Sequence, residues 1–233
     1  VIKAANEEGV KKIVLTSSVA AIIYGHEKDS FNEEDWTDTD AEGCSAYNKS
    51  KTYAEKAAWD FINSDECNME LSVINPSLVL GPVLESDFGT SVELVKRFLN
   101  GGFPLAPNIS FGIVDVRDVA QLHLLALESP QASGNRFIAS SETLAIPLIS
   151  EFLRKKIPEY QKRLPKGTAP DFLIKLLGFF SPLMKTVANQ LGKTKELDNS
   201  KAKNILGWQP RSGEEAVIAS AKSLIEFDIV KSP

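Results

Sequence analysis

Cysteine and histidine are scarce in this chain of 233 residues, and each scarcity closes off a chemistry. Its two cysteines, Cys44 and Cys67, lie far apart with no C-x-x-C, and its two histidines, His26 and His123, complete no metal-ligand spacing. Such counts suit a reducing cytoplasm. Long apolar runs are also missing. The most apolar stretch, residues 172–184, is broken by Lys175, Gly178 and Pro182 and is too short to cross a bilayer, so a buried helix or a lid is expected there. Basic blocks are absent as well: Lys and Arg total 26 against 31 Asp and Glu, which argues against a phosphate-tracking nucleic-acid surface. No signal peptide is expected ahead of the fold, and the sequons at Asn48 and Asn108 are dismissed, the first because it falls inside a candidate catalytic helix. What remains is an ordinary globular chain, 43% hydrophobic, able to bury a substantial core as one large domain or as a domain with an appended lobe.

The opening residues read as the end of a helix, a stop at Gly9 and a short strand from Ile13 to Leu15. After an acidic loop to Gly43, Ser45 is placed to cap a helix running through Ala54, Ala57, Ala58 and Phe61. Glu70 to Asn75 is the next strand. Thr90 or Ser91 is expected to cap a helix that Gly101 and Gly102 end, followed by a strand over 109–114, a helix over 115–129 and a strand over 136–139. Strands alternating with helices of roughly 10 to 15 residues are the signature of a doubly wound parallel sheet. Beyond residue 140 the alternation dissolves into helices separated by Pro158, Pro165, Pro170 and Pro182. The expected class is therefore α/β, with a sheet domain over 1–140 and a smaller, mainly helical lobe over 141–233.

Candidate chemistry centres on Tyr47-Asn-Lys-Ser-Lys51. At i and i+4 on a helix the phenol and the ammonium share a face, and the positive charge favours the phenolate, drawing the group toward the working range of a general acid. A second Tyr-x-x-x-Lys, Tyr24 to Lys28, serves as a control: it has Gly25 next to the Tyr and lies in a polar loop, where a packed loop aromatic is the plainer reading. Ser17 and Ser18 follow the first strand, at the carboxyl end where open α/β sheets bind ligands. Either hydroxyl suits a carbonyl, and both equally suit a strand closing into a loop.

The blocks VLTSSVAAI, YNKSKTYAEKAAWDF, INPSLVLGP and FGIVDVRDVAQLHLLALES, with the closing LGWQPRSGEEA, resemble in order and spacing the extended short-chain dehydrogenase/reductase superfamily over nearly the whole chain. FNEEDW and AEKAAWDF look most like the dihydroflavonol 4-reductase and aldehyde reductase group. The resemblance implies a Rossmann-type sheet domain and a substrate-binding lobe. It also implies reduction of a ketone or aldehyde by NADP(H), with NAD as the alternative: Tyr47 is the proton donor, Lys51 supports it and binds the nicotinamide ribose, and Ser18 orients the carbonyl. Pro76, Ser77, Leu78 and Val79 would line the nicotinamide end of the cofactor, and Ser91 would meet its phosphates, although a plain N-cap explains Ser91 as well. A small lipophilic or aromatic carbonyl is the implied partner, with no nucleic acid and no membrane.

The chain departs from the family pattern at several places. It has no G-x-x-G-x-x-G, so it is expected to be a C-terminal portion lacking roughly the first two to three βα units, inactive alone and with one sheet edge unpaired. Ile23 stands where plant dihydroflavonol reductases carry an Asn, and the cinnamoyl-CoA reductase block is replaced around Tyr47, so neither plant specificity transfers. Phe152, Phe172, Leu176, Phe179, Phe180 and Leu183 are apolar enough to line a pocket or to form helix core, while Lys162, Arg163, Lys166, Lys193 and Lys195 offer a pyrophosphate clamp or plain solvated charge. A nucleotide-sugar epimerase or dehydratase and a nicotinamide sensor without turnover are the rival functions.

Overall fold

A computed structural model describes the backbone of residues 1–233 and every side chain except those of Pro182, Leu183, Lys185 and Thr186. The chain runs through helix α1 (Ile2–Glu7), strands β1 (Lys12–Thr16) and β2 (Ser30–Phe31), helix α2 (Ala46–Ile62) and strands β3 (Glu70–Pro76) and β4 (Leu78–Leu80). Next come α3 (Glu93–Leu99), β5 (Ser110–Asp115), α4 (Val116–Glu128), β6 (Asn135–Ala139), β7 (Glu142–Ala145) and α5 (Ile146–Lys156). The last elements are α6 (Asp171–Gly178), α7 (Pro182–Gln190), β8 (Glu196–Leu197), α8 (Ser200–Leu206) and α9 (Gly213–Glu226). The elements fall into two compact units, and the chain crosses between them after Ser77, Val116, Ser140, Lys195 and Pro210.

The first unit is built on a parallel sheet in the order β1-β3-β6, with Leu15 opposite Val73 and Asn75 opposite Ile138. β3 is central and buried from Leu71 through Pro76, with Leu71, Val73 and Ile74 as its apolar core residues and Ser72 and Asn75 as buried polar ones. Among the described residues β1 pairs with β3 alone, and its Ile13, Val14 and Leu15 stay half-buried. A short parallel pair, β2 with β8, completes the strands of this unit.

Helix α2 starts where Ser45 allows it to, the Oγ accepting from the Asn48 N–H at 3.1 Å. Its buried residues, Asn48, Thr52, Glu55 and Ala58, recur at helical spacing, and Ala58 packs with Leu71 and Val73 of β3. Removing the cap should loosen the first turn, where Tyr47 sits: Ser45→Ala is expected to cost about 1 kcal/mol, lowering Tm by roughly 2–4 °C in thermal denaturation. An unchanged Tm would show that another acceptor or a water serves the Asn48 N–H equally well.

In the second unit β4 and β5 are parallel and β5 and β7 antiparallel, beneath α3, α5 and α9. Phe98, Ile113, Leu144, Leu153, Val217 and Leu224 belong to its core. Ser212 and Glu215 form a capping box at the start of α9.

Three expectations change. The helix expected to begin at residue 91 begins at Glu93, with Val92 at the N-cap and no side-chain cap; Thr90 and Ser91 instead accept through their carbonyls from Glu93 and Leu94. The alternation does not end at residue 140, because β7 follows at once and β8 returns later. These strands, with β2 and β4, span two to four residues, too few for a period to register. The apolar stretch 172–184 is not a buried helix: in α6 only Ile174 is buried, while Phe172, Leu176, Phe179 and Phe180 are exposed. Helices α6 and α7 pack chiefly on each other, so a single stripe is covered. Leu183 lies outside the described side chains. Among the described residues, no helix is long and apolar enough to cross a membrane.

Candidate active site

Three consecutive hydroxyls end β1, and the fold gives each a different partner. Thr16 Oγ1 meets His123 Nε2 at 2.7 Å, while His123 Nδ1 lies 2.8 Å from the Val119 carbonyl. Ser17 is buried and donates inward to Glu55 Oε2 at 2.5 Å. Ser18 caps the short 3-10 turn Val19–Ala21, its Oγ accepting from the Ala20 N–H at 3.1 Å. That bond uses a lone pair and not the hydroxyl proton. Ser17 is thus committed to the interior, and Ser18 keeps a proton to donate.

Helix α2 packs against the same turn, and with it come Tyr47 and Lys51. Tyr47 is 58% exposed, and Lys51 Nζ lies 5.9 Å from the centre of its ring. Tyr24, on the chain leaving the turn, has its pKa raised by burial first and then by the neighbouring Tyr47 and Cys44. Tyr24 stays a neutral phenol. Its apparent partner Lys28 is engaged elsewhere, 2.6 Å from Asp35 and over the Phe31 ring, so the second Tyr-x-x-x-Lys builds no phenol–ammonium pair. Gly25 explains the sharp exit: its φ is +83°, and a Cβ there would sit 2.6 Å from that of Asp38.

Sequence reasoning missed what lies beneath. Glu55, on α2 one turn past Lys51, is fully buried and accepts from Ser17, from Asn75 Nδ2 at 2.7 Å and from Arg136 Nε at 2.6 Å. Arg136 also donates to the carbonyls of Glu33 and Asp35 and lies 3.8 Å over the Trp36 ring. The available signal was a carboxylate in helical register with the buried Asn48 and Thr52, a face where an unpaired charge is costly.

Residues 1–139 match the NAD dependent epimerase/dehydratase family. The chain belongs to that family. Among its relatives, the NADPH-dependent methylglyoxal reductase GRE2 of Saccharomyces cerevisiae is 32% identical over 95% of this chain and 65% of the yeast protein. Ketoreductase azaE of Aspergillus niger is 33% identical, covering 93% of this chain and 63% of its own. The crystal structure of yeast methylglyoxal/isovaleraldehyde reductase Gre2 complexed with NADPH superposes with a TM-score of 0.74 at 30% identity, over 94% of this chain and 65% of that one. The chain thus spans just under two thirds of the length of these relatives, and its fold is that of Rossmann-type reductases.

The other positions that the superfamily resemblance assigns are spread through the fold. Pro76 is buried at the end of β3, and Ser77 gives both its N–H, at 3.0 Å, and its Oγ, at 3.3 Å, to the Ala139 carbonyl. Leu78 and Val79 form the half-buried start of β4, and Ser91 lies two residues ahead of α3, all three in the second unit. Of the basic residues, Arg163 is spent on the carbonyls of Lys231 and Ser232, and Lys195 is half-buried, its pKa lowered by burial and by Lys193. A cavity of about 240 Å³ beside Arg136, lined also by Trp36, Trp59 and Lys201, includes none of Ser18, Tyr47 and Lys51.

Proposed function

We propose that the protein is an NADP(H)-dependent reductase of ketones or aldehydes in which Tyr47 protonates the carbonyl oxygen. The observation that carries this reading is the exposed Tyr47 phenol with Lys51 beside its ring, on a helix packed against the turn that Ser18 caps. The NADPH dependence of the yeast relative supports the choice of NADP over NAD. The residues suit the nicotinamide end of such a cofactor, since Tyr47 stands open and Lys51 makes no ion pair among the described residues.

The nicotinamide, when bound, supplies the hydride that adds to the carbonyl carbon. Tyr47 Oη gives its proton to the carbonyl oxygen, and the product is the alcohol. Ser18 Oγ donates to the same oxygen and holds it in line. The Lys51 ammonium stabilises the phenolate left behind and reaches the ribose hydroxyls, with Pro76 and Ser77 as further cofactor contacts. A small carbonyl compound is the substrate class, and the unpaired Cys44 and Cys67 fit a reducing cytoplasm.

The test is oxidation of NADPH and NADH by the full-length protein with a panel of aromatic and aliphatic aldehydes and ketones. Turnover with NADPH preferred is expected. Absence of turnover across the panel, together with binding of UDP-sugars, would replace the reductase by an epimerase or dehydratase. Cofactor binding with no turnover of either class would favour a sensor.

A further inference from the structure

Glu55 takes no part in the transfer of hydride or proton, yet its buried carboxylate ties together the parts that do. It lies one helical turn beyond Lys51 and two beyond Tyr47, and Arg136 compensates its charge at 2.6 Å. The decisive member of the cluster is Asn75, fully buried at the end of β3. Its Nδ2 donates to Glu55 Oε2 at 2.7 Å and to the Ser18 carbonyl at 3.2 Å. The same carbonyl accepts from the Ala21 N–H at 3.0 Å, in the 3-10 turn that follows. We propose that Glu55 is a positioning residue which, through Asn75, fixes the Ser18 peptide relative to the helix bearing Tyr47 and Lys51.

The polarity of the bonds makes the arrangement directional. Glu55 is acceptor-only and Arg136 Nε is donor-only, so Asn75 must turn its amide nitrogen, not its oxygen, toward Glu55, and that nitrogen's second proton then falls to Ser18. An amide in place of the carboxylate cannot serve all its neighbours. Its oxygen is claimed by Arg136, its NH2 faces Asn75, and Asn75 must rotate its Oδ1 inward, which withdraws the donor from Ser18. The Ser18 turn would then be anchored to α2 by packing alone, and a hydroxyl misplaced by a fraction of an ångström orients a carbonyl poorly.

The proposal rests on the reductase reading only for its effect on turnover, so the experiment has an arm that does not use activity. In full-length Glu55→Gln, amide exchange at Ala21 is expected to accelerate about tenfold, as one stabilising hydrogen bond to its acceptor is lost. In the same variant kcat should fall about tenfold or more, with NADPH affinity nearly unchanged. The double variant Glu55→Gln with Asn75→Asp returns one buried carboxylate to the cluster and an acceptor for the new amide, but no donor for the Ser18 carbonyl. It should regain melting temperature while recovering neither kcat nor Ala21 protection. Recovery of kcat along with stability would reduce Glu55 to a purely structural role, and unchanged exchange in Glu55→Gln would overturn the proposal. If that variant does not fold, Asn75→Ala removes the Ser18 donor and keeps the Glu55 bonds to Arg136 and Ser17. It should show the same exchange and kcat changes, and their absence would equally overturn the proposal. A wild-type protein that reduces no carbonyl would defeat the reductase reading, while the exchange arm would still decide the place of Glu55.

Discussion

Tyr47→Phe is expected to lower kcat for carbonyl reduction about 10²- to 10⁴-fold while leaving NADPH affinity close to that of the wild type. The substitution removes one oxygen and nothing else. The ring stays, Lys51 Nζ keeps its place 5.9 Å from the ring centre, and α2 retains both its Ser45 cap and its buried face. What disappears is the proton that must reach the carbonyl oxygen as hydride reaches carbon, so the alkoxide forms without an acid. Steady-state NADPH oxidation and a fluorescence titration of NADPH separate the two quantities. Tyr24, whose pKa is raised by burial and then by neighbouring Tyr47, is the built-in control. It is held on the chain leaving the Ser18 turn, its N–H given to Thr37 Oγ1 at 3.1 Å and its carbonyl accepting from Asp38 at 2.9 Å. If Tyr47→Phe retains turnover and Tyr24→Phe loses it, the donor has been assigned to the wrong tyrosine.

Arg136→Ala should destabilise the first unit by about 3–5 kcal/mol, the range for breaking a buried ion pair from one side. The Arg136 side chain is 8% exposed and that of Glu55 is wholly buried, so solvent screening does little to soften the loss. Truncation leaves the Glu55 carboxylate with Ser17 and Asn75 as donors and no counter-charge. It also strips the carbonyls of Glu33 and Asp35 of their 2.8 and 2.7 Å donors and uncovers the Trp36 ring. Arg136→Lys restores the charge but not the planar fork, which reaches one carboxylate and two carbonyls at once, and should recover part of the loss. Urea denaturation of the full-length protein measures both. A cost below about 1 kcal/mol would mean that water replaces the guanidinium without penalty.

Much of the first unit can be read along the chain because it is encoded locally. The strand residues Leu71, Val73 and Ile74, the Ser45 cap, the four-residue interval from Tyr47 to Lys51 and the Gly101 stop after α3 each depend on neighbours within a turn or a strand, where backbone geometry decides which side chains meet. The expected cap at Thr90 or Ser91 failed for a local reason too: the backbone carbonyls of these two residues accept from the Glu93 and Leu94 N–H groups. The apolar stretch around α6 misled because hydrophobicity states a preference for burial without supplying a surface to bury against. The sorting of Thr16, Ser17 and Ser18 was beyond any local rule. Ser17 finds Glu55 from 38 residues away, and Arg136 finds Glu55 from 81, only because β1, β3 and β6 lie side by side under α2. Residue types and spacing therefore named the phenol, the ammonium and the pair of serines. Which serine faces inward, and which carboxylate holds the other in place, follows from strand pairing that brings distant segments together, and no single segment carries that information.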